Sequence, residues 1–235
     1  MTADTRKHQA LVDHYAQCLQ RYGDSHLGVD WPNAADAQTR YRVMLECIRE
    51  PDEAVTLLDF GCGASHLLDF MHAHRLDRIA YSGLDAAPES IALSRQKYPD
   101  TPYYLMDVLD GDDALPMFDY IVMNGVFTEK RELSYGEMFN YFSQLLPLVF
   151  AKARRGIAFN VMAKAVDWER DDLFHVPTDD LIAFLVNQLS RQFVLRNDYG
   201  LYDYTTYVYR EPDHGKSHPL WRQGLRRTGA LLPDA

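Results

Sequence analysis

The chain of 235 residues lacks an excess of basic side chains, a long apolar run and an even set of cysteines. Its 24 lysines and arginines are outnumbered by 34 aspartates and glutamates, which argues against a protein that coats nucleic acid through the phosphates. The longest strongly apolar run, LLPLVFA from Leu145 to Ala151, is far shorter than the roughly 20 residues of a membrane span. We therefore expect neither a nucleic-acid partner nor a membrane partner.

Cysteine is scarce, and its spacing matches no metal-binding pattern. Cys18, Cys47 and Cys62 fit no zinc motif and leave one thiol over in any disulfide scheme. We predict reduced, structural thiols and no metal site. The opening residues, MTADTRKHQALVDHY, do not have the pattern of a signal peptide, so a cytoplasmic location is expected.

Apolar spacing predicts two helices at the start of the chain. The first covers Thr2–Gln20 and the second runs from Ala34 to Ile48, with a stretch containing glycine and proline between them. That stretch and the start of the second helix, residues 22–42, are predicted to be a lid over a cofactor, because Trp31 is a large apolar group in an otherwise polar region. A single domain is expected over residues 1–210, of which 1–50 are the helical lid region, with an irregular tail over 211–235.

Beyond Pro51, short runs of β-forming residues alternate with helical segments. The predicted strands are Val55–Phe60, Ile79–Leu84, Pro102–Met106, Phe118–Met123 and Gly156–Met162. The predicted helices are Ser65–His74, Pro88–Tyr98, Leu133–Ala153 and Pro177–Arg191. This alternation predicts an α/β fold with a doubly wound, mostly parallel sheet. Gln192–Asn197 and Leu201–Arg210 have hairpin spacing, which predicts a closing antiparallel pair.

The strongest local motif is LLDFGCGAS, in which a buried strand runs into a glycine turn and then a helix. Gly61 and Gly63 allow positive φ and let a ligand approach the backbone, while the helix N-terminus supplies free N–H donors. A small ligand is therefore expected at this turn. A dinucleotide fingerprint would place a third glycine where this chain has His66, which disfavours NAD.

Acidic residues follow the next two strands. Asp85 ends the second strand, where a carboxylate can accept both hydroxyls of an adenosine ribose. The alternative for Asp85 is an N-cap for the helix at Pro88, and the two roles are compatible. Asp107 and Val108 end the third strand and suit the exocyclic amine and the face of an adenine, although Asp107 also fits a solvated turn acid.

Four segments in order resemble the motifs of the class I S-adenosylmethionine-dependent methyltransferases. They are LLDFGCG, YSGLDAAPESIALSRQKY, YLMDVLD and FDYIVMNGVF, and the resemblance covers Val55–Arg210. It implies a Rossmann-like sheet of seven strands, with S-adenosylmethionine as the cofactor and an antiparallel strand beside the fifth. It also implies that Gly61 and Gly63 flank the methionine portion and that Ala86 follows the ribose acid. Asn124 and Gly125 would then lie under the cofactor, facing the acceptor.

A narrower resemblance involves YGDSHLGVDW, TRYRVML, FNVMAK and LRNDYGLYDYTTYVYR. These segments are similar to those of a bacterial subgroup associated with small-molecule or surface-glycan biosynthesis. The resemblance implies that Trp31 covers the cofactor and that Arg40 pairs with the methionine carboxylate, for which a guanidinium is suited. The alternatives are an indole that packs a helix and a surface arginine.

Candidates on the acceptor side carry less sequence information. His175, between the fifth strand and the following helix, is the candidate general base, with a structural histidine as the alternative. A group of aromatic and acidic residues could line a polar acceptor pocket, although a stacked strand surface explains it equally well. That group contains Asp198, Tyr199, Tyr202, Asp203, Tyr204 and Tyr207.

These observations predict methyl transfer from S-adenosylmethionine to oxygen or nitrogen of a small polar acceptor such as a sugar or a tailored metabolite. A nicotinamide oxidoreductase would share the sheet, but the third glycine and a catalytic Tyr-x-x-x-Lys are missing. A nucleic-acid methyltransferase would usually have a basic groove and an Asn-Pro-Pro-Tyr-like motif, where this chain reads NGVF from Asn124. A non-catalytic binding protein on the same fold is the remaining alternative. Nothing in the sequence fixes the oligomeric state.

Overall fold

The computed structural model of the chain describes residues 7–50, 52–111 and 114–214. Two helices come first, α1 (Gln9–Tyr22) and α2 (Ala34–Leu45), with the predicted break between them. Helix α2 begins after Asn33, whose side chain accepts a hydrogen bond from the backbone N–H of Ala35 at 2.8 Å, the usual task of an N-cap asparagine. The predicted start of α1 before residue 7 lies outside the described residues.

Strands and helices then alternate as the apolar runs predict. The strands are β1 (Val55–Phe60), β2 (Ile79–Asp85), β3 (Tyr103–Leu105), β4 (Phe118–Phe127), β5 (Ala153–Ala163), β6 (His175–Val176), β7 (Gln192–Arg196) and β8 (Asp203–Tyr209). The helices are α3 (His66–Ala73), α4 (Pro88–Lys97), α5 (Tyr135–Ala151) and α6 (Thr178–Gln188), with a short 3-10 turn over Val108–Asp110.

The strands form one sheet in the order β3-β2-β1-β4-β5-β8-β7, and the two-residue β6 pairs with Met162 and Ala163 of β5. Strands β1 to β5 are parallel, whereas β8 runs antiparallel to both β5 and β7. The closing hairpin and the strand inserted beside β5 are therefore confirmed. The predicted seven strands are all present, and β6 is an eighth that the sequence did not indicate because two residues carry no periodicity.

Helices cover both faces of the sheet. Neighbouring residues of β1 point to opposite faces, so Leu57 and Leu58 join two different hydrophobic clusters. The cluster that holds Leu58 also contains Phe142 and Leu146 of α5, and the cluster that holds Leu57 contains Met44 of α2. The Rossmann-like, doubly wound α/β architecture is thereby confirmed.

The strand order changes direction between β1 and β4, which are neighbours in the sheet. Ligands of open α/β sheets bind at such a switch point, beyond the carboxyl ends of the strands. Residues 211–214 follow β8 without regular structure, and the remainder of the predicted tail, 215–235, lies outside the described residues. Within the described part of the chain, every helix is too short or too polar to cross a bilayer.

Candidate active site

A cavity of about 500 Å³ opens at the carboxyl ends of β1, β2 and β4. Its volume is within the range of small-molecule sites. Helix α1 and the lid segment, residues 22–42, contribute residues to its walls. The residues predicted to bind the cofactor all line this cavity, namely Trp31, Arg40, Gly61, Gly63, Asp85, Ala86, Asp107, Val108, Asn124 and Gly125.

The turn after β1 needs both of its glycines. Gly61 and Gly63 have φ of 75° and 53°, a region that side chains with a Cβ rarely adopt. A Cβ on Gly61 would lie 2.8 Å from Val126, and one on Gly63 would lie 2.9 Å from Val29 of the lid segment. The lid segment therefore rests directly on the exposed backbone of this turn.

Asp85 joins the glycine turn to the start of α4. Its Oδ2 accepts from the N–H of Gly63 at 2.9 Å, and its Oδ1 accepts from the N–H of Ala87 at 2.8 Å. The N-cap residue of α4 is Ala87, so Asp85 is not the helix cap itself. Each carboxylate oxygen has a second lone pair, so both can still accept from a ligand hydroxyl. Burial raises the pKa of Asp85, and the backbone N–H groups of Ala87 and Gly63 oppose that change.

Asp107 faces the cavity beside an aromatic pair. Its Oδ1 accepts from the N–H of Leu109 at 3.0 Å, and its Oδ2 lies 2.6 Å from Nε2 of His8. The His8 ring stacks on Tyr141 with ring centres 5.0 Å apart. The hydrogen bond from His8 holds the pKa of Asp107 below its usual range. Asp107 is thus a half-buried acid that two hydrogen bonds fix in place, which does not fit the alternative of a solvated turn acid.

The irregular stretch near the carboxyl end of β4, where the pairing with β5 shifts register between Met123 and Phe127, presents an acceptor with no hydrogen-bond partner in the part of the chain that the structure describes. Gly125 has φ of 88° and donates its N–H to Oδ1 of Asn160 at 2.8 Å. A Cβ on Gly125 would lie 2.9 Å from the Trp31 ring, so the indole packs against bare backbone. Oδ1 of the neighbouring Asn124 is buried without a hydrogen-bond partner among the described residues. Such an atom is satisfied by a ligand or a water molecule.

Arg40 is buried, which excludes the surface-arginine alternative. Its Nε and Nη2 donate to the two oxygens of Asp203 at 3.1 and 2.8 Å, a paired geometry that suits a guanidinium. Asn160 donates to the same carboxylate at 2.9 Å. The Arg40 guanidinium also lies 4.2 Å from the centre of the Trp31 ring. Arg40 therefore ties the lid segment to β8, and pairing with a methionine carboxylate stays a prediction.

Comparison with known proteins agrees with this geometry. The model of a family described as "Methyltransferase domain" matches residues 58–146, from the glycine-turn strand to α5. Over this stretch, which holds the glycine turn and both strand-end acids, the chain is similar to methyltransferases. A Mycobacterium tuberculosis protein that carries the name of a methyltransferase, Rv1506c, is 28% identical over 155 residues, covering 64% of this chain and 90% of the relative.

Solved structures of methyltransferases share the fold of this chain at low identity. Magnesium protoporphyrin IX methyltransferase from Synechocystis PCC 6803 with bound SAM is 14% identical, with a TM-score of 0.58 over 90% of this chain and 99% of the other. Human N-acetylserotonin methyltransferase in complex with SAM is 13% identical, with a TM-score of 0.54 over 89% and 67%. A TehB-like SAM-dependent methyltransferase from Corynebacterium glutamicum is 14% identical, with a TM-score of 0.51 over 86% and 100%.

His175 lines the cavity, but both of its ring nitrogens are already used by backbone groups. Nδ1 lies 2.6 Å from the carbonyl oxygen of Ala163, and Nε2 accepts from the N–H of Arg170 at 3.2 Å. The nitrogen lone pair that a general base needs is therefore occupied. The structure corrects the expectation of a catalytic His175, since the imidazole holds β6 and the preceding loop in place.

The predicted acceptor cluster separates in the structure. Tyr202 is 57% exposed and lines the cavity. Asp198 pairs with Arg196 at 2.7 Å, and the Tyr199 hydroxyl bonds to Thr205 at 3.0 Å, and neither residue reaches the cavity wall. Tyr204 and Tyr207 are buried in the two core clusters, and Asp203 is the buried partner of Arg40. The buried members therefore pack or pair inside the fold, and none of the three lines the cavity.

The sequence alone did not single out several residues of the cavity wall. Tyr15 of α1 donates its hydroxyl to the carbonyl of Gly125 at 3.2 Å, and the lid segment adds Asp30. Glu129 follows β4 with its side chain only 13% exposed. Its pKa is raised by burial and by the nearby charge of Asp30. Its place shortly after the fourth motif was the available signal for Glu129. Tyr15 gave no such signal, because its contact with Gly125 spans 110 positions.

Proposed function

We propose that this protein is a class I S-adenosylmethionine-dependent methyltransferase. In this proposal it holds the cofactor across the switch point and transfers the methyl group to oxygen or nitrogen of a small polar acceptor. The observation that carries this proposal is the convergence of Gly63, Asp85, Asp107 and Asn124 on one cavity. In this arrangement Asp85 accepts from the ribose hydroxyls and Asp107 accepts from the adenine amine. Val108, which is 2% exposed, packs against the adenine face.

When bound, the cofactor supplies a methyl group on a sulfonium, which an oxygen or nitrogen lone pair attacks in line as the sulfur–carbon bond breaks. The protein contributes alignment and exclusion of water. Trp31 over Gly125 and Val29 over Gly63 place the lid segment against the strand ends on which the methyl group would lie. Oδ1 of Asn124, which has no hydrogen-bond partner in the described part of the chain, is available to orient the cofactor or the acceptor.

Glu129 is the better candidate for accepting the proton that the acceptor loses. It lines the cavity, and its raised pKa follows from burial and from repulsion by Asp30. A carboxylate with a raised pKa is a stronger base than an exposed one. Arg131 lies 3.2 Å from Glu129 and limits that rise without removing the carboxylate from the wall.

The wall beyond the switch point favours a hydroxylated or amine acceptor. Asp30, Glu129 and Asp167 contribute carboxylates there, with Arg170 as the counter-charge and Trp168, 70% exposed, at the rim. Carboxylates accept hydrogen bonds from several O–H or N–H groups at once, and an aromatic ring can stack on the apolar face of a sugar or a flat metabolite. Two of the structural neighbours are named for magnesium protoporphyrin IX and for N-acetylserotonin, two very different molecules, so the fold alone does not select the acceptor.

Calorimetry with S-adenosylhomocysteine tests the cofactor arrangement. Micromolar binding, about −8 kcal/mol, is expected, with NAD much weaker. Asp85→Ala should weaken binding by about 1.5–3 kcal/mol, roughly ten- to a hundredfold, because hydrogen bonds to a charged acceptor are lost. Asp198→Ala is the matched control, since its carboxylate lies away from the cavity and should change nothing.

Tighter binding of NAD than of S-adenosylhomocysteine would refute the proposal. Equal affinity of Asp85→Ala and the unaltered protein would assign Asp85 to holding the turn alone. Transfer of a labelled methyl group to a panel of sugars, amines and phenols separates an enzyme from a non-catalytic binding protein, because only the enzyme releases S-adenosylhomocysteine with each labelled product. Loss of that transfer in Glu129→Gln at unchanged cofactor affinity is the result expected for a base.

A further inference from the structure

Three side chains of different chemistry converge at the edge of the cavity, on the side of α1. His14 and Cys18 lie one turn apart on α1, and Asp30 comes from the lid segment. Nε2 of His14 is 2.8 Å from Oδ2 of Asp30 and 3.6 Å from Sγ of Cys18, and all three donor atoms lie within 4.8 Å of one another. We propose that these residues bind a divalent transition metal ion of the zinc class.

The spacing of the donor atoms fits one ion. Zinc bonds of about 2.0–2.1 Å to nitrogen and about 2.3 Å to sulfur, at a tetrahedral angle, put those two atoms about 3.6 Å apart. The separation between Nε2 of His14 and Sγ of Cys18 is 3.6 Å. A tetrahedral angle needs about 3.4 Å between the nitrogen and the carboxylate oxygen. The distance of 2.8 Å from His14 to Asp30 must therefore open by roughly half an ångström as the ion replaces the shared proton.

The backbone directs these groups towards each other. Residues four apart on a helix share a face, which brings His14 and Cys18 together. Asp30 has φ of 58°, in the left-handed region that non-glycine residues rarely adopt, and such strained positions cluster at functional sites. Cys18 is only 8% exposed, while Asp30 borders the cavity. The thiolate and imidazole favour zinc-like ions over magnesium or calcium.

A second cluster of possible metal ligands in the same structure already has a lysine bonded to it. Asp24, His66 and Asp69 also place their donor atoms together, but Lys97 donates to Asp24 at 3.1 Å and to Asp69 at 2.8 Å. The lysine ammonium already supplies the positive charge at that cluster. Within the described residues, the Asp30 carboxylate has only His14 as a hydrogen-bond partner. We therefore assign the metal to the first cluster alone.

Cysteine spacing could not reveal this site, because only one cysteine takes part. The expectation of no metal rested on the three cysteines, whereas the ligands here are a His-x-x-x-Cys pair and an aspartate beyond a loop. Three protein ligands leave one position of a tetrahedral ion open. Since Asp30 borders the cavity, a water molecule or an oxygen atom of a bound molecule would complete the shell from that side.

Cobalt(II) titration of the full chain, stripped of metal with a chelator, tests the inference without an activity assay. We expect one equivalent of cobalt to give the near-ultraviolet charge-transfer band of a cobalt–thiolate bond, which zinc then abolishes by displacement. Cys18→Ser should remove the band, and His14→Gln and Asp30→Asn should each weaken metal binding by at least tenfold. Asp24→Asn is the control and should leave the titration unchanged.

A cobalt band that persists in Cys18→Ser, or no stoichiometric binding to the unaltered chain, would overturn the site. Circular dichroism of each variant shows that a lost band reflects lost ligands and not lost folding. The inference does not rest on the proposed function. Calorimetry with S-adenosylhomocysteine on the same metal-free protein reports the cofactor site separately, so either proposal can fail while the other stands.

Discussion

The buried pair of Arg40 and Asp203 joins the lid segment to the sheet, and its removal should be costly. Asp203 is fully buried, and it receives hydrogen bonds from Arg40 and Asn160. Asp203→Asn leaves the Arg40 guanidinium, 11% exposed, without a counter-charge. Breaking one side of a buried ion pair costs about 3–5 kcal/mol. For a domain of this size that loss corresponds to a fall in Tm of roughly 6–20 °C.

A double-mutant cycle isolates the interaction. Arg40→Met and Asp203→Asn should each lower the free energy of unfolding, and the double variant should lose less than the sum, because neither charge is then left alone. Arg42→Met, two residues further along α2, is the matched control. Its guanidinium side chain is 50% exposed and pairs with Glu46, so less than about 1 kcal/mol should be lost.

Urea unfolding followed by fluorescence measures the unaltered protein and all four variants. Additive losses in the cycle would refute the coupling, and so would an Asp203→Asn variant no less stable than Arg42→Met. The same variants also report on the lid segment, because Arg40 stacks on Trp31. Asp203→Asn should therefore also weaken binding of S-adenosylhomocysteine, because it loosens the stack of Arg40 on Trp31.

Three further predictions concern other parts of the site. Burial raises the pKa of Asp59 to about 7, so between about pH 4 and 7 the folded chain holds a proton that the unfolded chain has lost. The free energy of unfolding should therefore fall as pH rises from about 4 to 7, by up to about 1.4 kcal/mol per pH unit. Unfolding curves of Asp59→Asn should show a flatter dependence on pH. Gly125→Ala should abolish methyl transfer and lower Tm, since its Cβ would meet Trp31, whereas Gly136→Ala, with open space around it, should do neither. Hydrogen exchange over residues 22–42 should slow when S-adenosylhomocysteine binds. Equal exchange rates with and without the ligand would mean that the lid segment only packs against the rest of the fold.

Local pattern was enough to predict most of the fold. The run LLDFGCG places a strand, a turn and a helix within a few residues, and each of these follows from side-chain periodicity and the freedom of glycine. The acids after β2 and β3 could be found the same way, because parallel strands end at one edge of the sheet. The cavity residues predicted from these motifs therefore lie together in the structure.

Long-range pairings could not be predicted. Arg40 and Asp203 are 163 positions apart, and His8 and Asp107 are 99 apart, so no local period links either pair. His175 shows the opposite failure, since its residue type suggested chemistry while its neighbours Ala163 and Arg170 occupy both nitrogens. The acidic wall at Glu129 was missed because a single acid after a strand carries no distinguishing pattern.

The contacts between the region of α2 and the last strand, β8, decide when the site can form during synthesis. Arg40 bonds to Asp203, and the hydroxyls of Tyr207 and Tyr209 bond to carbonyls of Val43 and Cys47, each across 162–164 positions. A growing chain makes α2 first and β8 last, with the loop between them closed only at the end. A nascent chain that stops after β5 has the glycine turn and both strand-end acids. It lacks β8, to which the lid segment is anchored. Affinity for the cofactor should thus arise only when the final strand has left the ribosome.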